Sequence, residues 1–394
     1  MTEPRPNVFS PNIGQEEIDG VIEVLKARAL TYFSGKKVNE FEQEFARYCG
    51  SRYAVATSSG TSALHIALSS LDVGPGDEVI VPAYTFIGTA LPVLYQNAIP
   101  VFVDIDPEFF TVDPLDLQRK ITEKTRAIIV VHLFGCPAEM DEIMRIANSN
   151  SIPVIEDACQ AHGAEYRGKK VGTIGKFGCF SFYENKNMTT GEGGMLITDD
   201  LGSQTKARLL RNNGELNYDY VHLGYNYRMT EIQAAIGIAQ LKKLDFFNHI
   251  RNDNAHYLME KLRETVGIEF SNERNYVRHV YHALACKIIP SVIGMTRENF
   301  LGKINRPYPI TQIEFQFYGR VLYSWDFFKK LMGYGKTQCP YTCTLYGKNV
   351  KYTKGLCPTA ESVCPNIIGL PTAPSCTTEV LDALIDRIRK VARK

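Results

Sequence analysis

No apolar run in this chain reaches the ~20 residues that a helical membrane span needs, and the opening MTEPRPNVFSPN has no apolar core of the kind that marks a secretory leader. A cytoplasmic protein that does not enter membranes is therefore expected. Excess charge of either sign is also missing. The 44 basic and 43 acidic residues leave a net charge of +1, which gives no electrostatic case for nucleic acid, an anionic membrane or a polyanionic partner. A second close cysteine pair to match the C-x3-C of Cys339 and Cys343 is absent, since Cys357 and Cys364 are seven apart. The ten cysteines are scattered, and several (Cys159, Cys179, Cys286) fall in apolar, strand-like runs where buried reduced thiols are expected. Cys339, Cys343, Cys357 and Cys364 gather in the C-terminal third, but their spacing is looser than a structural zinc site prefers, and no metal site is expected. There is no internal repeat.

What is present is an ordinary globular composition. The chain has 394 residues, 44% of them hydrophobic and 22% charged, enough for two domains. Nearly continuous apolar runs at 53–56, 78–86, 100–106, 126–135 and 152–158 alternate with helical periodicity at 38–49, 61–71, 114–121 and 140–149. Such strands predict a largely parallel sheet covered on both faces. Asp113 caps the third of these helices, with Pro114 at its first position. Thr230 and Gln233 stand in capping-box positions before an apolar helix face. Residues 245–255 turn polar, and the boundary is drawn there, giving domains 1–248 and 249–394. A strand is expected near 278–289 and a closing amphipathic helix at 378–391. The stretch 303–376, rich in tyrosine, proline, cysteine and glycine, predicts long ordered loops with short elements.

The chemistry concentrates on Lys186. It sits in a polar turn between the apolar runs Cys179–Tyr183 and Met195–Ile197. A lysine so placed is paired or chemically employed, and its amine can form a Schiff base with a carbonyl or with pyridoxal phosphate. A solvated loop lysine is the plain alternative. Ser59-Gly60-Thr61-Ser62 offers a helix N-terminus suited to a phosphate dianion, or simply an ordinary cap. Asp157 ends an apolar strand, where ligands of open α/β sheets gather. A carboxylate there can keep a pyridine nitrogen protonated. Glu156 points to the opposite face. Gln160 lies near enough to meet a ring hydroxyl. Phe86, at a strand end, can stack on a flat ring or belong to the core.

Six strings taken together carry a resemblance: GKKVNEFEQEFA (35–46), SSGTSALHIAL (58–68), GDEVIVPAYTFIGTA (76–90), IEDACQAHGA (155–164), FSFYENKNMTTGEGG (180–194) and GYNYRMTEIQAAIGIAQL (224–241). In them the chain resembles the DegT/DnrJ/EryC1/StrS aminotransferases. The resemblance implies the aspartate-aminotransferase-like α/β fold (fold type I of the pyridoxal-phosphate enzymes), with a mostly parallel seven-stranded sheet and a smaller α+β C-terminal domain. It implies that Lys186 is the Schiff-base lysine, that Asp157 pairs with the pyridine nitrogen and Gln160 with the ring hydroxyl, that Gly60, Thr61 and Ser181 hold the phosphate, and that Phe86 stacks on the ring. Asn226 is similar to an asparagine that reaches the neighbouring subunit's cofactor, which implies a homodimer with shared sites. The implied reaction moves an amino group from L-glutamate or L-glutamine to a nucleotide-linked keto-sugar. The alternatives are a cyclitol ketone such as scyllo-inosose as acceptor, or a cofactor-binding regulator without turnover. Dehydratases of the same family carry histidine where this chain has Lys186. Two departures stand out. Arg211-Asn212-Asn213-Gly214 replaces the RNHG common among relatives, and 303–365 does not follow the usual short substrate loop.

Overall fold

The computed structural model describes residues 11–305 and 319–392; residues 306–318 of the tyrosine- and cysteine-rich segment lie outside them. Seven strands form the central sheet: β1 (Tyr53–Thr57), β2 (Glu78–Pro82), β3 (Ile99–Val103), β4 (Thr125–Val131), β5 (Val154–Asp157), β6 (Phe177–Ser181) and β7 (Gly194–Thr198). Their spatial order is β1-β7-β6-β5-β4-β2-β3. Only β7 runs against its neighbours; the other pairings are parallel.

The strands are apolar throughout because both faces are covered. Alternate residues feed two separate cores, as the two-residue repeat of a strand requires. Val79, Val81, Ile129 and Ile155 belong to one core, and Ile80, Ile128, Val130 and Val154 to the other. The first core is covered by helices α1 (Gly60–Ser70) and α2 (Leu201–Arg211) and by residues 321–367. The second is covered by the helices Lys37–Cys49 and Met140–Ser149 and by the first half of α3 (Glu231–Leu262).

Helix α3 begins at the expected capping box, Thr230 with Gln233. It then runs unbroken through residue 248, so the position chosen for the domain boundary falls inside a helix. Its apolar stripe serves two cores in turn. Ala234, Ile238, Leu241 and Leu244 pack under the large sheet, while Ala255, Leu258 and Leu262 pack into a third core. That core lies on a three-stranded antiparallel sheet built from Ile268–Phe270, Leu284–Ile288 and Ile367–Leu370, with the closing helix Thr378–Ala392 against it. The strand expected at 278–289 is in fact two: the two-residue Val277–Arg278, paired with Glu165–Tyr166, and Leu284–Ile288. The run 126–135 stops being a strand at Val131 and turns through Leu133–Gly135, where Phe134 adopts φ +59°.

Residues 319–366 dock on the large sheet beside β3. Tyr352 donates its hydroxyl to the Pro100 carbonyl (2.8 Å), and the amides of Thr359 and Ala360 donate to Asp104. The Leu322 amide donates to the Ala83 carbonyl just past the end of β2 (2.8 Å). All ten cysteines are free thiols. Among the described residues, no group of three or more metal-ligating side chains comes together.

A buried ionic knot ties the sheet to its helices. Glu42 accepts from the Ala56 amide (2.8 Å), from Arg211 (2.8 Å) and from Arg208, and both Glu42 and Arg211 are buried. Removing one partner of such a pair leaves an uncompensated buried charge. Glu42→Ala is therefore expected to destabilise the fold by about 3–5 kcal/mol, read as a lower urea midpoint; an unchanged midpoint would show that this knot carries no stability.

Candidate active site

The C-terminal ends of β4, β5 and β6 and the N-terminus of α1 converge on one cavity of about 440 Å³. Lys186, Asp157, Gly60, Thr61, Phe86, Gln160 and Ser181 all line it. Sequence reasoning named each of them. Asn226 does not line it. It lies exposed elsewhere on the same chain, in an isolated antiparallel bridge with Asn212.

Strand β5 presents two carboxylates in sequence, and the pleat sends them opposite ways. Glu156 faces the second core, fully buried. It accepts from the amides of Gly172 (2.7 Å), Ile174 (2.7 Å) and Gly175 (2.6 Å) and from His132 Nε2 (2.9 Å). The Ala138 amide donates to His132 Nδ1 (3.1 Å), so Nε2 carries the proton. Asp157 faces the cavity. Its Oδ2 accepts from Thr89 Oγ1 (2.8 Å) and its Oδ1 from the Cys159 amide (3.2 Å). Burial, then the charge of Asp157, pushes the Cys159 thiol well above its ordinary range, so it stays protonated beside the carboxylate.

Helix α1 opens at Gly60. Its cap is reciprocal: Ser59 Oγ accepts from the Ser62 amide (3.1 Å) and Ser62 Oγ from the Ser59 amide (2.8 Å). The amides of Gly60 and Thr61 have no partner within the helix and carry the positive end of its dipole. Gly60 is required sterically. A Cβ there would lie 2.6 Å from Cys159 Sγ and 2.8 Å from Ser181 Cβ. The backbone therefore forms a cradle open to an anion at the cavity floor.

The loop carrying Lys186 is held at both ends and from below. Phe182 donates its amide to the Gly193 carbonyl (2.8 Å), and Thr190 donates to the Phe182 carbonyl (3.0 Å). Asn187 donates to Asn248 (2.8 Å) and to the Val280 carbonyl (3.0 Å). Behind the loop, His162 is pushed down to about 3 by burial and by the Lys186 charge, so it is neutral at physiological pH. Gln160 is fixed by its Oε1, which accepts from the Phe134 amide (2.8 Å). Phe86 is 55% exposed and lines the cavity.

Sequence reasoning missed Thr85, Thr89, Tyr183 and Glu192, which also line the cavity. The signal for the threonines was available: both follow the C-terminal end of β2, where ligands of parallel sheets gather. A flat ring with an aldehyde and a phosphate fits this set of residues. The glycine cradle has the shape and free amides to take a phosphate, Asp157 is a carboxylate that could face a ring nitrogen, and Lys186 is the one amine on the wall.

The DegT/DnrJ/EryC1/StrS aminotransferase family model matches residues 11–350. GDP-perosamine synthase of Caulobacter vibrioides is 47% identical over 245 residues, 61% of this chain and 66% of that protein. UDP-N-acetyl-3-dehydro-alpha-D-glucosamine 3-aminotransferase of Acidithiobacillus ferrooxidans is 40% identical over 284 residues, 71% of this chain and 75% of that protein. Among solved structures, S. venezuelae DesV in complex with a ketimine intermediate superposes with a TM-score of 0.85 at 31% identity, covering 96% of this chain and 95% of that one. The chain therefore belongs to the DegT/DnrJ/EryC1/StrS aminotransferase family and is a pyridoxal-phosphate-dependent transaminase.

Proposed function

We propose that this chain moves an amino group from L-glutamate or L-glutamine to a nucleotide-linked keto-sugar, with Lys186 as the catalytic residue. The observation that carries the reading is convergence: Lys186, Asp157 and the N-terminus of α1 open on the same 440 Å³ cavity. A nucleotide-linked acceptor draws support from relatives whose names specify GDP- and UDP-linked sugars.

When bound, pyridoxal phosphate supplies an aldehyde that condenses with amines and a ring that draws off electrons from the reacting carbon. The protein supplies position and charge. Gly60, Thr61 and Ser181 hold the phosphate through amides and hydroxyls at the helix N-terminus. Asp157, oriented by Thr89 and the Cys159 amide, keeps the pyridine nitrogen protonated by opposite charge. Phe86 covers one ring face. Gln160 has its carbonyl end committed to Phe134, so it offers an N–H to the ring oxygen. The Lys186 amine takes and returns the proton at Nζ during transfer. Asn226 of the partner subunit completes the phosphate site in a homodimer with shared sites, which accounts for its exposed position here.

Lys186→Ala is expected to lower turnover by more than about 10⁴-fold while still binding the cofactor; sustained multiple-turnover amination by that variant would remove Lys186 from its role. Gly60→Val fills the cradle, and its cofactor affinity should fall by roughly 5- to 100-fold in an absorbance titration. Sharing is tested by mixing inactive Lys186→Ala subunits with Asn226→Asp subunits. A shared site predicts recovery of about one quarter of wild-type activity after random reassortment, whereas an Asn226 acting within its own chain predicts no recovery.

A further inference from the structure

The segment Tyr225-Asn226-Tyr227 follows the exposed hairpin Glu215–Leu216 and Asp219–Tyr220 and does not line the cofactor cavity of its own chain. Its backbone is laid between α2 and α1. The amides of Tyr225 and Tyr227 donate to the carbonyls of Leu210 (2.6 Å) and Arg211 (3.1 Å) at the end of α2, and the Ser58 amide donates to the Tyr227 carbonyl (2.9 Å) just before α1. Along such a segment successive side chains point opposite ways. Tyr225 and Tyr227 share the inner side, their rings stacked with centroids 5.1 Å apart and planes at 15°, and Asn226 is left exposed on the other.

Both tyrosine hydroxyls end in one polar chain that centres on His65 of α1. Gln96, which closes the short helix Leu91–Tyr95, donates its side-chain amide to His65 Nε2 (2.8 Å) and to Tyr225 Oη (2.7 Å). Nε2 therefore accepts, and the ring proton sits on Nδ1, which donates to Tyr227 Oη (3.1 Å). Tyr225 donates its own hydroxyl to Ser69 Oγ (3.4 Å), and its ring lies 4.4 Å from that of His65. The imidazole is buried, and burial pushes it down to about 4, so it stays neutral and keeps this pattern of donors at physiological pH. Gln96, His65 and Tyr225 thus have their donors taken up within the chain. A satisfied buried polar chain specifies one geometry, where an apolar contact tolerates several. It fixes residues 225 and 227, and with them the residue between.

We propose that His65 is a positioning residue for Asn226: gripping Tyr227 directly and Tyr225 through Gln96, it holds Asn226 where the partner subunit's phosphate site needs it. The inference rests on the shared-site reading of Asn226 and deepens it. His65 touches neither cofactor nor substrate. Its effect falls on the phosphate grip of the neighbouring site and not on that of its own chain, although α1 also bears that chain's cradle at Gly60 and Thr61.

The test uses full-length mixed dimers, isolated by two affinity tags, in which one chain carries Lys186→Ala. Only the other chain keeps the lysine. Borohydride fixes pyridoxal phosphate to that lysine, and intact-mass spectrometry reads the labelled fraction against cofactor concentration. His65→Phe keeps a ring and removes both hydrogen bonds. Placed on the Lys186→Ala chain, it is expected to raise the cofactor concentration for half-labelling by about 5- to 10-fold, the worth of one or two hydrogen bonds. Placed on the lysine-bearing chain, it should leave the curve within about 2-fold of the dimer without it. Asn226→Ala on the Lys186→Ala chain should cost at least as much. Adding His65→Phe to it should shift the curve by less than about 2-fold more, because a group acting through Asn226 then has nothing left to position. Equal losses from the two placements, a loss only from the lysine-bearing chain, no loss from either, or full additivity with Asn226→Ala would overturn the proposal. Should His65→Phe not fold, Tyr227→Phe removes only the hydroxyl that His65 grips and goes through the same pair of dimers, with about 2- to 5-fold expected across the dimer; no such loss overturns the proposal. An effect of Asn226→Ala across the dimer without one of His65→Phe removes this inference and keeps the shared site. An effect of Asn226→Ala confined to its own chain removes the shared-site reading and this inference with it.

Discussion

The two-residue repeat of strand β5 is the constraint on which the site depends. Neighbouring carboxylates in a low-dielectric sheet would repel each other and drive one to protonate. The pleat separates them onto opposite faces, and each receives its own donors. Glu156 gathers three backbone amides and an imidazole, which pins the loop 172–175 beneath the sheet. Asp157 is left to the cavity with a hydroxyl and one amide. A one-residue slip of β5 against β4 and β6 would exchange the two. The dense apolar packing of Val154 and Ile155 into different cores holds that register.

Around this strand, charge is arranged by what burial removes. His162 and His282 lose their protons, and the Cys159 thiol keeps its own, because the interior penalises the charged form of each. The cations left near the cofactor cavity are Lys186 and, behind its loop, Arg251. The helix α1 dipole adds positive potential at the floor without any side-chain charge. An anionic cofactor meets a site whose positive groups are few and fixed in place by packing.

The local chemistry was legible in the sequence because it depends on short-range rules. The alternation of IPVIED assigned Asp157 and Glu156 to opposite faces. The Ser59–Ser62 and Thr230–Gln233 caps announced two helix starts, and Gly60 stood where a cradle needs no side chain. What escaped was whatever depends on where distant segments meet. Thr89 reaches Asp157 across 68 positions, and Arg251 reaches Thr372 across 121. Nothing in the periodicity around either residue encodes such a meeting. The boundary drawn near 248 rested on a polar shift, which falls inside a continuous helix. The polar shift at 245–255 marks helix α3 passing from one core to the next, and its backbone hydrogen bonding continues regardless of which core its side chains serve.

The docking of residues 319–366 beside β3 has a consequence for the life of the protein outside its reaction. β3 is the last strand in its sheet, and a strand in that position offers unpaired donors and acceptors to any passing chain. The Tyr352 hydroxyl on the Pro100 carbonyl and the Cys357 thiol on the Phe102 carbonyl occupy two of those acceptors. The long segment thus works as a guard rail against self-templating, so trimming it away would leave that edge open to fibrillar or amorphous clumping even where the catalytic cavity survives intact.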